Sequence, residues 1–330
     1  MAGGKERILR QRIKSVQSTK KITKAMELIA ASRIVKAQQR VAAARPYSEQ
    51  ITEVIRSLAA GGADLSHPLL ARNENVSTVA YVVVTADRGL AGAYNSNVIR
   101  AAERDLRVEQ AKGRSYSLIC LGRKSESYFR FRGYDIAASF SGMSEQPRYE
   151  DARQVAEAIT GPFLEGDVQL VKLAYTQFLS ATSQKVVVTQ FMPLDTEGIT
   201  DAAAASDGPE AAYEFEPEPG EILSELLPRY VEARLFAAML DAAASEHAAR
   251  QRAMKSATEN AEELIVKLAR IMNRARQDSI TTEIMEIVGG AEALRQSSGE
   301  GVDYLPDTLV SRHILPDHID PFRMSGAKRQ

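Results

Sequence analysis

Apolar residues fall three or four positions apart at both ends of this chain, and alternate or run together in the middle. Between Gly3-Gly4 and Gly61-Gly62 the apolar positions are Leu9, Ile13, Val16, then Ile22, Met26, Ile29, then Ile34, Val41, Ile51, Ile55 and Leu58. That pattern predicts one helical rod in two segments, bent at Pro46, with a change of phase near Lys20 and a stripe narrow enough to suit a single partner helix. The C-terminal series is more regular: Phe236, Leu240, Ala243, His247, Arg250, Met254, Ala257, Ala261, Leu264, Leu268, Ile271 and Ala275. No Gly or Pro occurs from Arg229 to Val288, so a rise of about 1.5 Å per residue predicts a rod on the order of 90 Å, ended by Gly289-Gly290. Pro228 means that this helix either kinks or begins late. Two such rods at opposite ends of a chain predict a long antiparallel coiled coil, with Ala257 and Ala261 allowing close approach. His247 and Arg250 interrupt the seam, and the expectation is that they lie at its edge and reach outward.

Between the rods, Ser77–Ala86, Tyr116–Gly122, Tyr134–Phe140, Val168–Leu179 and Lys185–Leu194 read as strands, separated by helical stretches near 95–110, 124–130 and 150–165. Alternation of this kind predicts an inserted three-layer, Rossmann-like α/β domain with a mainly parallel sheet, its last two strands forming an antiparallel edge. The expected division is an N-terminal coiled-coil helix over 1–62, the α/β domain over 70–194, an acidic loop and foot over 195–219, a C-terminal coiled-coil helix over 220–290 and an irregular tail over 291–330.

Charge sharpens this picture. The net charge of the 330 residues is −1, yet Lys5 to Arg45 holds twelve Lys or Arg against two Glu, and Val186 to Pro228 holds ten acids and no Lys or Arg. The chain is polarised, with a basic arm and an acidic strip. Its single cysteine, Cys120, forms no internal disulfide and reads as a small buried hydrophobe in a reducing compartment. No run reaches the roughly 18 apolar residues of a membrane span, and "MAGGKERILRQR" lacks a signal-peptide core, so no direct membrane insertion is expected.

"VVVTADRGLAGAYNSNVI" offers a strand, a Gly-containing loop and a helix, the arrangement that cradles phosphates. It lacks G-x-G-x-x-G spacing and a Walker lysine, so the loop is read as a structural turn, with Asp87 and Arg88 as a loop ion pair. His67 and His247 are isolated, His313 and His318 lie in a Pro-containing tail, and no Cys/His cluster exists. The expectation is no catalytic residue, no cofactor and no metal.

"KITKAMELIAASRIVKAQ" followed by "RPYSE", then "TADRGLAGAYN", "ASEHAARQRAMKSATENA" and "ARQDSITTEIMEIVGGA" resemble the gamma subunits of F-type ATP synthases from near residue 2 to about Ala293. The resemblance implies a non-catalytic central rotor shaft, coupling ion flow through the membrane c-ring to conformational changes in the catalytic beta subunits. Implied partners are the alpha and beta subunits of the catalytic ring, the epsilon subunit and the c-ring, with no nucleic acid. The implied location is the cytoplasmic face of a bacterial plasma membrane, held peripherally. By the same resemblance, Met26 with Lys20, Lys21 and Lys24 faces a beta-subunit loop, Arg250, Gln277, Thr281 and Glu283 meet the beta-subunit catch, and Tyr213, Phe215 and Glu216 stand on the c-ring. A shaft turning among successive partners is expected to carry a charged outer face rather than a broad apolar one.

Overall fold

The computed structural model describes residues 2–60, 67–71, 73, 75–194 and 218–297. In chain order the elements are α1 (Ala2–Ala60), β1 (Thr78–Val84), α2 (Tyr94–Ala111), β2 (Ser115–Leu121), α3 (Arg123–Phe131), β3 (Ala138–Phe140), α4 (Tyr149–Leu164), β4 (Leu170–Phe178), β5 (Gln184–Met192) and α5 (Pro219–Ser297). The described residues fall into two compact units, one within Arg12–Lys267 and one made of residues 2–11 with 268–297.

The sheet order is β3-β2-β1-β4-β5, parallel throughout except for the antiparallel β4–β5 edge. Every residue of β1 after Thr78 is buried, as a central parallel strand covered on both faces requires. Alternation then sorts its side chains. Val79, Tyr81 and Val83 join Val98, Ala102, Leu106 and Phe129 of α2 and α3, whereas Ala80, Val82 and Val84 join Val155 and Ile159 of α4. Cys120 lies in the α2/α3 layer, and burial pushes its thiol up to about 12.

The α4 face carries more than a domain of its own would need. Ile51, Ile55 and Leu58 of α1 and Leu223, Leu227, Val231 and Leu235 of α5 enter the same core. Each such side chain contributes about 1.5–3 kcal/mol on burial. The inner parts of both long helices are therefore core elements of the α/β body, not narrow-striped arms. This packing also supports the helix across its proline: α5 begins at Pro219 and continues through Pro228, which is flanked by the buried Leu227 and Val231. Helix α1 likewise runs through Pro46. Gly3 and Gly4 lie inside α1 and Gly289 and Gly290 inside α5, so these glycines bound neither helix.

The third strand is shorter than the sequence pattern implies. Only Ala138–Phe140 pair with Ile119–Leu121 of β2. Tyr134 instead stacks edge-on against Phe129 and Tyr116. One glycine is fixed by geometry: Gly122, between β2 and α3, has φ +93°, and a Cβ there would sit 2.2 Å from the Thr85 carbonyl oxygen. The Thr85 hydroxyl fills the space beside it, donating to the Leu121 carbonyl at 3.0 Å and accepting from the Ser125 N–H at 3.0 Å.

Candidate functional site

Within the Arg12–Lys267 unit, α1 and α5 face each other in opposite directions. Thr23 meets Thr258, hydroxyl to hydroxyl at 2.8 Å, and Lys20 Nζ lies 2.9 Å from Glu262 Oε1. Both threonines are buried. Each hydroxyl also reaches its own helix, Thr23 to the Lys20 carbonyl at 3.1 Å and Thr258 to the Met254 carbonyl at 2.8 Å. Two hydroxyl protons serve three contacts, so making the hydroxyl-to-hydroxyl bond leaves one of the two backbone bonds unmade.

Around Thr23 and Thr258 the inward positions are small or polar, and large hydrophobes take over from Ile34 onward. On α1, Thr23, Ala30, Ile34, Ala37, Ile51, Ile55 and Leu58 are buried, in a three-and-four spacing that keeps one phase from Thr23 to Leu58. Two large hydrophobes of the N-terminal half point elsewhere: Ile22 is 61% and Ile29 54% exposed. The expected stripe through Ile22, Met26 and Ile29 is thus displaced by one residue, and the outward face is not purely charged, since Ile22, Leu28, Ile29 and Val35 all lie on it. On α5 the seam passes through Met254, Thr258 and Ala261, while Leu264, expected inside, is 38% exposed. Bulk favoured the isoleucines and the leucine; close approach of two helices favours Thr and Ala.

Two loops of the α/β body grip α5. After β1, Asp87 accepts hydrogen bonds from the N–H groups of Arg123 (3.2 Å), Gly142 (2.8 Å) and Ser144 (3.3 Å). Asp87 therefore organises backbone, and Arg88 pairs not with it but with Glu145, 3.4 Å away. Glu145 is also bonded to Arg33 of α1 and stands 4.0 Å from Arg250 of α5. One carboxylate thus gathers guanidinium groups from three segments. Arg250 is only 7% exposed, forms an ion pair with Glu246 one turn earlier, and approaches the Gly89 carbonyl at 3.4 Å. His247 is 2% exposed, with Nε2 3.2 Å from the Glu145 carbonyl. Both were expected to reach outward. They point inward because the loops bring carboxylate and carbonyl partners down onto the helix.

The same contacts fill one part of the crevice at the carboxyl ends of the strands, where doubly wound sheets hold ligands. Tyr94 donates to the Ala242 carbonyl at 3.2 Å, and the cavity on one side of it, lined by Thr85, Gly122, Met143, Met239 and Glu246, holds about 10 Å³, no more than a water molecule requires, whereas on the other side an open cleft of about 370 Å³ lies among Gly92, Asn97, Thr176, Ser245 and Arg252. Burial drives the Tyr94 hydroxyl well above its ordinary pKa, and burial raises the Glu246 carboxyl, a shift that Arg250 opposes.

The other expected contact residues are dispersed. Met26 is half-buried, and Lys21 and Lys24 are exposed, with Lys24 3.1 Å from Glu27. In the other unit Gln277, Thr281 and Glu283 are exposed on α5, where Thr281 bonds back to the Gln277 carbonyl at 3.0 Å. Tyr213, Phe215 and Glu216 lie outside the described residues. Among the described residues, no group of three or more His, Cys, Asp or Glu could hold a metal ion, and no helix is long and apolar enough to cross a membrane. Sequence reasoning missed Thr23, Thr258, Glu145 and Glu246. Only the last carried a signal, an i,i+4 Glu–Arg pair inside the alanine-rich "AAASEHAARQRA".

A family profile described as "ATP synthase" matches residues 5–294. A protein of Parafrankia sp. called "ATP synthase gamma chain" is 52% identical over 295 residues, covering 88% of this chain and 98% of the relative. One of the same name from Mycolicibacterium gilvum is 47% identical over 305 residues, covering 88% and 98%. Among solved structures, a chain of the Euglena gracilis mitochondrial ATP synthase, described with OSCP, F1 and the c-ring, aligns with a TM-score of 0.62 at 17% identity, covering 91% of this chain and 98% of that one.

Proposed function

Because this chain belongs to the family of ATP synthase gamma chains, we propose that it is the central rotor shaft of an F-type ATP synthase, itself non-catalytic. It couples ion flow through a membrane c-ring to conformational change in the beta subunits of the catalytic ring. The terminal helices form an antiparallel coiled coil, and the α/β body is the part from which torque enters it. One observation carries this reading: the body is fastened to both helices at once, through Glu145 to Arg33 and Arg250 and through a core shared with α1 and α5. A helix pair that must transmit torque gains from such anchoring, because a hinge at the junction would dissipate the twist.

In this reading Lys20, Lys21, Lys24 and Met26, beside the exposed Ile22 and Ile29, meet beta-subunit loops at successive angles. Each angle favours one beta conformation by the difference in contact energy between states. Gln277, Thr281 and Glu283 meet the beta-subunit catch. Arg250 enters the mechanism by bracing the junction rather than by reaching a partner. Tyr213, Phe215 and Glu216 form the foot on the c-ring, the epsilon subunit lies alongside, and the complex sits on the cytoplasmic face of a bacterial plasma membrane. Reconstitution tests the proposal: the purified chain alone should hydrolyse no ATP and should co-assemble with alpha and beta subunits into an ATP-hydrolysing complex. Turnover by the isolated chain, or failure to join those subunits, would overturn it.

A further inference from the structure

Helix α5 outruns its partner. The first turns of α1 reach the stretch 271–278, where Lys5, Ile8 and Leu9 line a shared groove with Ile271, Arg274 and Asp278. Beyond that groove every residue over 280–297 is exposed. Among them Ile280, Ile284, Ile287 and Leu294 recur at spacings of three, four and seven, which sets them on one face of the helix. A lone helix of this length is marginal in water, and Gly289 and Gly290 within it weaken it further. A bare stripe of branched side chains on such a helix calls for a cover.

The chain itself supplies one. It continues for 33 residues past Ser297, beginning "SGEGVDYLPDTLV", in which Gly299 and Gly301 permit a reversal and Pro306 favours extended backbone over helix. Val302, Leu305 and Leu309 follow at spacings of three and four. Extended chain from Val302 to Leu309 spans about 22 Å, and the helix from Ile280 to Leu294 rises about 21 Å. The apolar positions of the two segments therefore come level when the chain doubles back. A second copy of the protein is the weaker occupant. A patch about 21 Å long and about 10 Å wide falls well short of the roughly 800 Å² per partner that a stable interface buries, whereas a tethered segment acts at an effective concentration on the order of millimolar.

We propose that, in the free chain, the segment 302–309 folds back along α5 and covers this stripe, with Val302 level with Leu294, Leu305 with Ile287 and Leu309 with Ile280. The contact is independent of the rotor reading and needs no partner subunit. It shields the tip of the helix from other molecules of the same chain, and any partner that binds this face must displace it.

The test measures hydrogen exchange of the amides over 280–294, by mass spectrometry, in three proteins: the full chain, the chain ending at Ser297, and the full chain carrying Leu305→Asp and Leu309→Asp together. Exchange should be about tenfold slower in the full chain than in either variant, and unchanged on dilution. Oxidative cross-linking reads the register. Cys120 is buried, so Ile287→Cys with Leu305→Cys should close an intramolecular disulfide readily. Met285, exposed on another face of the helix, is the control, and Met285→Cys with Leu305→Cys should cross-link about fivefold more slowly. Equal exchange in the full and shortened chains, protection that survives both aspartates, protection that disappears on dilution and so belongs to a second copy, or equal cross-linking from the two helix positions would overturn the proposal.

Discussion

Replacing Arg250 by Met removes the counter-ion of Glu246, whose side chain is 1% exposed. A buried ion pair broken on one side costs about 3–5 kcal/mol, because the remaining charge is stranded. The variant can escape part of that cost by binding a proton. Burial already raises the Glu246 carboxyl, and Arg250 is the main group opposing the rise; without it the folded-state pKa climbs further. The sign follows from linkage. An acid whose folded pKa lies above its unfolded value favours folding in its protonated form, so stability is fully present below the unfolded pKa and is lost as pH rises through the folded one. Arg250→Met should therefore be destabilised by about 3 kcal/mol or more near pH 7.5 and should recover on acidification toward pH 5, at no more than about 1.4 kcal/mol per pH unit. The double variant Glu246→Leu, Arg250→Met removes both charges and should fall within about 1.5 kcal/mol of the parent with no such recovery. Urea unfolding of the purified chain followed by circular dichroism, across that pH range, measures all three. A single variant as stable as the parent at pH 7.5, or a loss insensitive to pH and equal to that of the double variant, would refute this account of Arg250.

Ala261→Asp should cost about 3 kcal/mol and the neighbouring Leu264→Asp under about 1 kcal/mol, measured by the same unfolding assay; the reverse order would place the seam on the other face. Thr23→Val and Thr258→Val should each cost about 1 kcal/mol and the pair together no more than either, so additive losses in a double-mutant cycle would show that the two hydroxyls act separately. Gly122→Ala forces a Cβ against the Thr85 carbonyl and should lower stability by about 3 kcal/mol or more. Gly133→Ala meets nothing within 4 Å at φ +77° and should cost only about 1 kcal/mol; comparable melting temperatures for the two would contradict the packing at Gly122.

The sheet body was legible because strand burial leaves a strong trace: "STVAYVVVTA" contains the whole of β1, and the short link after Leu179 marked the antiparallel edge. Helix existence was equally clear, but helix facing was not. Hydropathy weighs Ile22 and Ile29 above Thr23 and Ala30, whereas a close helix pair selects side chains by how near they let the backbones come. The glycines misled for a related reason, and Pro228 did not delay the start of its helix. Punctuation is a local preference of about 1–3 kcal/mol, and where Leu227 and Val231 are fully buried beside Pro228, packing outweighs it. The inward turn of Arg250 and His247 had no local trace, since Glu145 lies about a hundred residues away in the chain. The family resemblance carried what periodicity did not, namely the rotor role.

The Thr23–Thr258 contact has a consequence for thrust along the helices. Beside Ile34 and Met254 the seam relies on Ala30, Ala37 and Ala261, and where only methyl groups meet, sliding one helix past the other by a turn would trade one methyl contact for a similar one at small cost. The hydroxyl pair breaks that degeneracy. Any slip leaves two buried hydroxyls facing methyl groups, at about 1–3 kcal/mol for each one stranded, and it separates Lys20 from Glu262 as well. The pair acts as a dowel through two rods, fixing their axial position while leaving the narrow seam that lets them lie close.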